Sequence, residues 1–358
     1  MSGLADLARP AIRALKPYVS ARSITTQGRI FLDANEAPES GVPARPGMNR
    51  YPEPQPHALL ARLAQLYQVP STRLLIGRGS DEAIELLVRV FCEPGRDRIL
   101  ITPPTYGVYE IAAAIQGAGV VRVPLRNDGE WALDEEGIIA AALEPTRDIK
   151  LVFLCSPNNP TGTAFDSNQL ARIASRVGTS ALVVVDEAYA EWNQQESMLT
   201  RLSALPNLVV LRTLSKAWAV AGARLGTALA DPEILTLMHR VRAPYPLSTP
   251  AIEVVREALS PEAALRLHER VLRVRAERER VAGALRELAS VKRIYRSEAN
   301  FLLVEFANRE AVLASTRERG VILRDRHSEP GLANCIRITI GAAGENDELL
   351  ELLRSLDS

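Results

Sequence analysis

Between about residues 73 and 230, short apolar runs alternate with stretches whose apolar positions repeat at helical spacing. The runs Arg98–Thr102, Val120–Pro124, Ile149–Cys155, Ala181–Asp186, Leu208–Arg212 and Leu225–Ala230 predict strands. Helical spacing over Asp81–Phe91, Tyr106–Gln116, Asp134–Leu143 and Asn168–Val177 predicts helices among them. The last is announced by Asp166-x-x-Gln169, a capping-box start signal. The strand runs are continuous in Val, Ile and Leu rather than alternating, which suits strands covered on both faces of a mainly parallel sheet. The fold class is therefore α/β. Ligands bind at the carboxyl ends of the strands in such sheets.

Past Ala230 the pattern changes. Leu267, Val271, Val274, Val281, Leu285 and Leu288 mark one face of a long helix, and seven arginines and four glutamates between Arg266 and Glu287 mark the other. Interleaved acids make that face a solvated one rather than a nucleic-acid surface. Strand-like Phe301–Phe306, Val321–Arg324 and Ile336–Ile340, with a helix near Arg309–Arg319 and a final helix, predict a small α+β lobe. A chain of 358 residues exceeds what one core usually serves. The expected division is a Pro-, Ala- and Arg-rich arm over 1–45 packing with the small domain, a large domain over 46–245 and a small domain over 246–358.

Charge and composition narrow the functions. With 43 basic and 43 acidic residues the net charge is zero, which argues against nucleic-acid and acidic-membrane partners. No apolar run approaches the roughly 18 residues of a membrane helix, and Asp6, Arg9 and Pro10 stand where a signal peptide would be apolar. Cys92, Cys155 and Cys335 are odd in number and form no CxxC pair, so no disulfide framework is expected. The four histidines have no metal-ligand spacing. These features predict a cytoplasmic protein.

Four segments at strand ends carry chemistry. Ile76-Gly77-Arg78-Gly79-Ser80-Asp81-Glu82 is a glycine turn entering a helix, a place for an anion. It lacks the third glycine of a dinucleotide fingerprint, and by itself it is a weak signal that an ordinary turn explains better. Ser156-Pro157-Asn158-Asn159-Pro160-Thr161-Gly162 follows a buried strand, as a plain turn or as a loop whose Asn159 amide donates to a ligand. Leu182 to Asp186 is an apolar run ending in Asp-Glu. A magnesium-binding ATPase strand is excluded by the absence of GxxxxGK[ST], leaving Asp186 suited to a cationic ring nitrogen. Ser215-Lys216 follows the next strand, with Arg224 eight residues on. Lys216 is one of only four lysines, and a desolvated lysine amine can be neutral and nucleophilic.

Together these segments resemble the fold type I pyridoxal-phosphate aminotransferases, over nearly the whole chain. The resemblance implies a large domain, its mainly parallel central sheet sandwiched by helices, plus a small α+β domain, with pyridoxal 5'-phosphate as cofactor. It implies that Lys216 holds the cofactor as a Schiff base and shuttles a proton, and that Asp186 faces the pyridine nitrogen. Asn159 and Tyr189 would hydrogen-bond the ring hydroxyl and Tyr106 would stack on the ring. Backbone groups of Ser80 and Asp81, with Ser215 and Arg224, would hold the phosphate. Arg337, in Ile336-Arg337-Ile338-Thr339-Ile340-Gly341, would clamp a substrate anion.

The segments Leu15-Lys16-Pro17-Tyr18, Leu32-Asp33-Ala34-Asn35-Glu36, Arg50-Tyr51-Pro52-Glu53-Pro54 and Leu323-Arg324-Asp325-Arg326 resemble those of histidinol-phosphate aminotransferases. That resemblance implies transfer of an amino group from histidinol phosphate to 2-oxoglutarate, in histidine biosynthesis, by a ping-pong mechanism. Tyr18, Arg324 and Arg337 would bind the substrate, and Tyr51 would reach the cofactor phosphate of a partner subunit, making a homodimer with shared sites. Asp33, Ala37 and Ala223 depart from the family's usual residues. An aromatic amino-acid aminotransferase, a threonine-phosphate decarboxylase and a non-catalytic regulatory relative are the alternatives.

Overall fold

A computed structural model describes residues 3–24 and 30–357. Its strands are β1 (Leu74–Gly77), β2 (Arg98–Ile101), β3 (Gly119–Arg122), β4 (Arg126–Asn127), β5 (Trp131–Ala132), β6 (Ile149–Cys155), β7 (Leu182–Asp186), β8 (Leu208–Thr213) and β9 (Gly226–Leu229). Four more follow: β10 (Val291–Ile294), β11 (Phe301–Phe306), β12 (Arg324–Asp325) and β13 (Cys335–Thr339). Seven of them form one sheet in the order β1-β9-β8-β7-β6-β2-β3, and only β9 runs against the rest. β4 and β5 form a separate hairpin.

The continuous apolar runs do what their pattern demands. Along β7, Val183 and Val185 enter one core with Val152 and Leu154 of β6. Leu182 and Val184 enter a second core with Leu151 and Phe153. The sheet is thus buried on both faces, covered by helices that include Ser80–Phe91, Val108–Gln116 and Ser167–Val177. Asp166 caps the last of these through the Asn168 amide at 3.0 Å.

This topology brings distant segments to one edge. β6, β7 and β8 are parallel neighbours, so Cys155, Asp186 and Thr213 end at the same rim. β1 runs with them and delivers Gly77 there, while antiparallel β9 starts there at Gly226. β2 adds the chain that leads to Tyr106.

The C-terminal sheet is antiparallel, in the order β10-β11-β13-β12. The helices Pro261–Arg286, Arg309–Glu318 and Ala343–Asp357 enclose its core of Val281, Leu285, Val304, Ile336 and Leu353. A fourth cluster joins this unit to the large sheet, placing Tyr189, Trp192 and Ala217 among Val271 and Phe301. The edge strand expected over Val321–Arg324 is only Arg324–Asp325, because Val321 still bonds back to Thr316 at the end of the preceding helix.

The N-terminal arm corrects the expectation. Leu4, Ala8 and Ile12, spaced four apart, enter the core of the large unit with Val90, Phe91 and Met238. Arg9 pairs with Glu93 at 3.1 Å, and Arg240 donates to the Ile12 carbonyl at 3.1 Å. The start of the arm therefore packs on the large unit and not the small one, because its apolar stripe matches the helices Ser80–Phe91 and Pro232–Val241. Residues 1, 2 and 25–29 of the arm lie outside the described residues. Among the described residues, no helix is long and apolar enough to cross a membrane.

Candidate active site

The rim of the large sheet opens into a cleft of about 380 Å³, closed on its far side by the β12–β13 ribbon. Ser80, Asp81, Tyr106, Asn159, Asp186, Tyr189, Ser215, Lys216, Arg224, Arg324 and Arg337 all line it. Two of the expected residues do not. Tyr18 is 75 % exposed outside the cleft, and Tyr51 stacks on Tyr245 with ring centroids 4.4 Å apart.

At one end the backbone makes a cradle. Gly79 has a φ of +82° and leads into the helix Ser80–Phe91, whose first amides carry the positive end of its dipole. A Cβ on Gly226 would lie 2.3 Å from the Ser80 nitrogen, and one on Gly79 would lie 2.9 Å from Nη2 of Arg224. Glycine at both places lets two strands and a guanidinium converge on one point. Arg224 itself holds a left-handed φ of 53°, an unfavourable backbone state that places its side chain at the rim. Its Nη2 donates to Asp81 at 3.2 Å, and Ser215 hydrogen-bonds Thr213 at 3.0 Å. Tyr106 donates to the other Asp81 oxygen at 3.0 Å.

In the middle sit an acid and an amine. Asp186 is 2 % exposed. It accepts from the Tyr109 hydroxyl at 2.9 Å and from the Ala188 amide at 3.2 Å. Burial nevertheless pushes its carboxyl up to about 6, because those two donors only partly replace water. Lys216 lies 5.6 Å from the centre of the Tyr189 ring. Burial, and then the positive charge of Arg337, hold its amine below the ordinary lysine range. Tyr189 is itself pushed up by burial.

The other end is cationic. Arg324 and Arg337 are register partners across β12 and β13. Arg326, two residues beyond Arg324, also lines the cleft. Both Arg337 and Arg326 donate to the side-chain oxygen of Asn159, the latter at 3.2 Å. Arg326 also pairs with Glu329. Tyr109 and Arg326 escaped sequence reasoning. Tyr109 follows Tyr106 by three residues on a helical face, and Arg326 follows Arg324 at strand spacing, so each carried a signal.

Asp33, one of the residues that depart from the family's usual pattern, pairs with Arg22 at 2.8 Å. Glu36 pairs with Arg22 and Arg50, each at 2.7 Å.

The family model for aminotransferase class I and II matches residues 30–356. The chain belongs to that family. Histidinol-phosphate aminotransferase of Stenotrophomonas maltophilia is 47 % identical over 350 residues, covering 97 % of this chain and 95 % of that protein. The enzyme of the same name from Xylella fastidiosa strain 9a5c is 44 % identical over 355 residues, covering 99 % and 97 %. Among solved structures, histidinol-phosphate aminotransferase from Sinorhizobium meliloti, in complex with pyridoxal-5'-phosphate, is similar with a TM-score of 0.76. It is 25 % identical, and the match covers 86 % of this chain and 83 % of that one.

The residues of this aminotransferase's cleft fit that cofactor. The glycine cradle has no room for a side chain but offers amides, a hydroxyl and a guanidinium to a phosphate. A fully buried carboxylate with a raised pKa calls for a cation, and the depressed Lys216 amine suits an aldehyde.

Proposed function

We propose that the chain is a pyridoxal-phosphate-dependent histidinol-phosphate aminotransferase, moving an amino group from histidinol phosphate to 2-oxoglutarate. The observation that carries this is one cleft with an anion cradle at one end, an arginine face at the other and Lys216 between them. The two relatives at 44 % and 47 % identity favour this substrate over an aromatic amino acid.

Pyridoxal phosphate, when bound, supplies an aldehyde that accepts the amino group and a ring that draws electrons from the neighbouring carbon. The chain's own residues do the rest. The amides at Ser80 and Asp81, the Ser215 hydroxyl and Arg224 hold the phosphate. Asp186 stays ionised against the ring N–H⁺, since the attraction lowers a pKa that burial, against its two donors, holds near 6. Asn159 and Tyr189 hold the ring hydroxyl, and Tyr106 covers the ring face. Lys216, its amine held below the ordinary lysine range by burial, takes the proton from the donor carbon and returns it. Arg324 and Arg337 receive the anionic end of either donor, since guanidinium forks fit phosphate and carboxylate alike; Tyr18, expected beside them, lies outside the cleft.

The reading extends to a cytoplasmic homodimer in which Tyr51 serves the partner subunit's cofactor phosphate. It keeps the division into an arm over 1–45, a large cofactor-binding unit over 46–245 and a small unit over 246–358, with the start of the arm on the large unit.

The test is a half-reaction. Histidinol phosphate is added to the cofactor-loaded protein without a keto acid, with phenylalanine and threonine phosphate in parallel. Rapid conversion of the cofactor's absorbance to that of its amine form by histidinol phosphate is expected. Conversion by phenylalanine alone moves the enzyme to the aromatic class. Carbon dioxide released from threonine phosphate makes it a decarboxylase.

A further inference from the structure

The arginine face is richer than two residues. Side chains alternate along a strand, so Arg324 and Arg326 share one face of the β12 segment, and Arg337 is the register partner of Arg324 on β13. Asp325, between them, turns the other way and pairs with Arg309. All three guanidiniums line the cleft.

Their partners are too few. Arg326 and Arg337 share a single neutral acceptor, the amide oxygen of Asn159. The Nε–H groups of both are buried without an acceptor among the described residues. Glu329 is the carboxylate that pairs with this face, holding Arg326 from three residues on. Three cations against one carboxylate leave a formal surplus of two positive charges. A carboxylate would neutralise one. A phosphate monoester, carrying roughly −1.5 to −2 near pH 7, would neutralise nearly both.

We propose that Arg326, steered by Glu329, is a third anion-binding arginine that selects a phosphorylated amino donor over a carboxylate donor. This rests on the function proposed above. Arg326 releases Asn159 and turns its fork to the phosphate, while Arg324 and Arg337 remain enough for the single charge of a glutamate side chain. The Glu329 carboxylate keeps Arg326 at the cleft in the meantime.

The test uses cofactor-loaded wild type, Arg326→Gln and Arg326→Lys. Calorimetric titration with inorganic phosphate reads the anion site without any chemistry. Half-reactions with histidinol phosphate and with glutamate then give the ratio of their kcat/KM values. Arg326→Gln should weaken phosphate about tenfold and lower that ratio about tenfold, the size of one charge-assisted hydrogen bond. Arg326→Lys should fall between, because it keeps the charge but loses the fork. Phosphate affinity within twofold of wild type, or equal losses for both donors, would overturn the proposal. If wild type turns over no histidinol phosphate, the proposed substrate fails instead, and the phosphate titration alone decides the role of Arg326.

Discussion

Tyr109 is the residue through which the protein controls Asp186, and removing its hydroxyl isolates that control. Its ring is fully buried and stacks on Phe153, centroids 4.7 Å apart, so Tyr109→Phe keeps the packing. What it removes is one of the two donors to a carboxylate whose pKa burial has raised from 3.8 to about 6. A raised carboxyl pKa means the folded state holds its proton more tightly than the unfolded chain does. The stability tied to that proton is present in full below about pH 4 and is lost as pH rises through about 6. The gap of about two units corresponds to roughly 3 kcal/mol in the ligand-free protein above that range. A hydrogen bond to a charged group contributes about 1.5–3 kcal/mol and one to a neutral carboxyl about 1. Losing the tyrosine donor should therefore raise the Asp186 pKa by about one further unit. The variant should cost about 1 kcal/mol near pH 5 and about 1–2 kcal/mol more near pH 8. Urea unfolding of ligand-free wild type and variant at both pH values, at one protein concentration, measures the difference. Loading with pyridoxal phosphate should shrink the increment, because a ring N–H⁺ then supports the charge. A penalty that is flat with pH, or larger at pH 5, would refute the coupling between Tyr109 and Asp186.

Lys216→Ala should abolish transamination while pyridoxal phosphate still binds without a covalent link, checked by half-reaction kinetics and by dialysis; near-normal turnover would remove Lys216 from the mechanism. Gly226→Ala should cost at least about 1–3 kcal/mol and weaken cofactor binding, because the new Cβ would overlap the backbone of Gly79 and Ser80 rather than a movable side chain. Unfolding and equilibrium dialysis check both parts, and unchanged cofactor affinity would show that the Gly79–Gly226 contact does not shape the cradle.

The large sheet was legible because its strands are buried on both faces. Ile149–Cys155 and Leu208–Thr213 read as near-continuous apolar runs, and such a run leaves few alternatives. β1 did not stand out, since only Leu74, Leu75 and Ile76 precede Gly77 and the strand merges with the glycine turn in the sequence. β10, with Lys292 and Arg293 in four residues, lacks an apolar run altogether. The helix Thr249–Ala258 buries only Val255 and was not among the elements expected from the sequence. The arm was misassigned for a related reason. A stripe of Leu4, Ala8 and Ile12 predicts that something covers it, but only the tertiary fold says what.

The site follows the same logic. Lys216, Asp186, Asn159 and Arg224 stand directly after strands or at the start of one, so the rule that strand ends make sites finds them. Arg326 stands after a strand of two residues, too short to announce a pleat, so its strand spacing from Arg324 was a weak signal, and nothing in that segment says which other arginine shares their face. The pairing of Arg324 with Arg337 supplies that missing fact. Once the register is known, the alternation of one strand and the pairing of two place three guanidiniums on one face, and Asp325 falls on the other with Arg309. Selection of a doubly charged donor is thus encoded in a register, a property of two segments together, whereas the lysine and aspartate of the chemistry are each encoded in one.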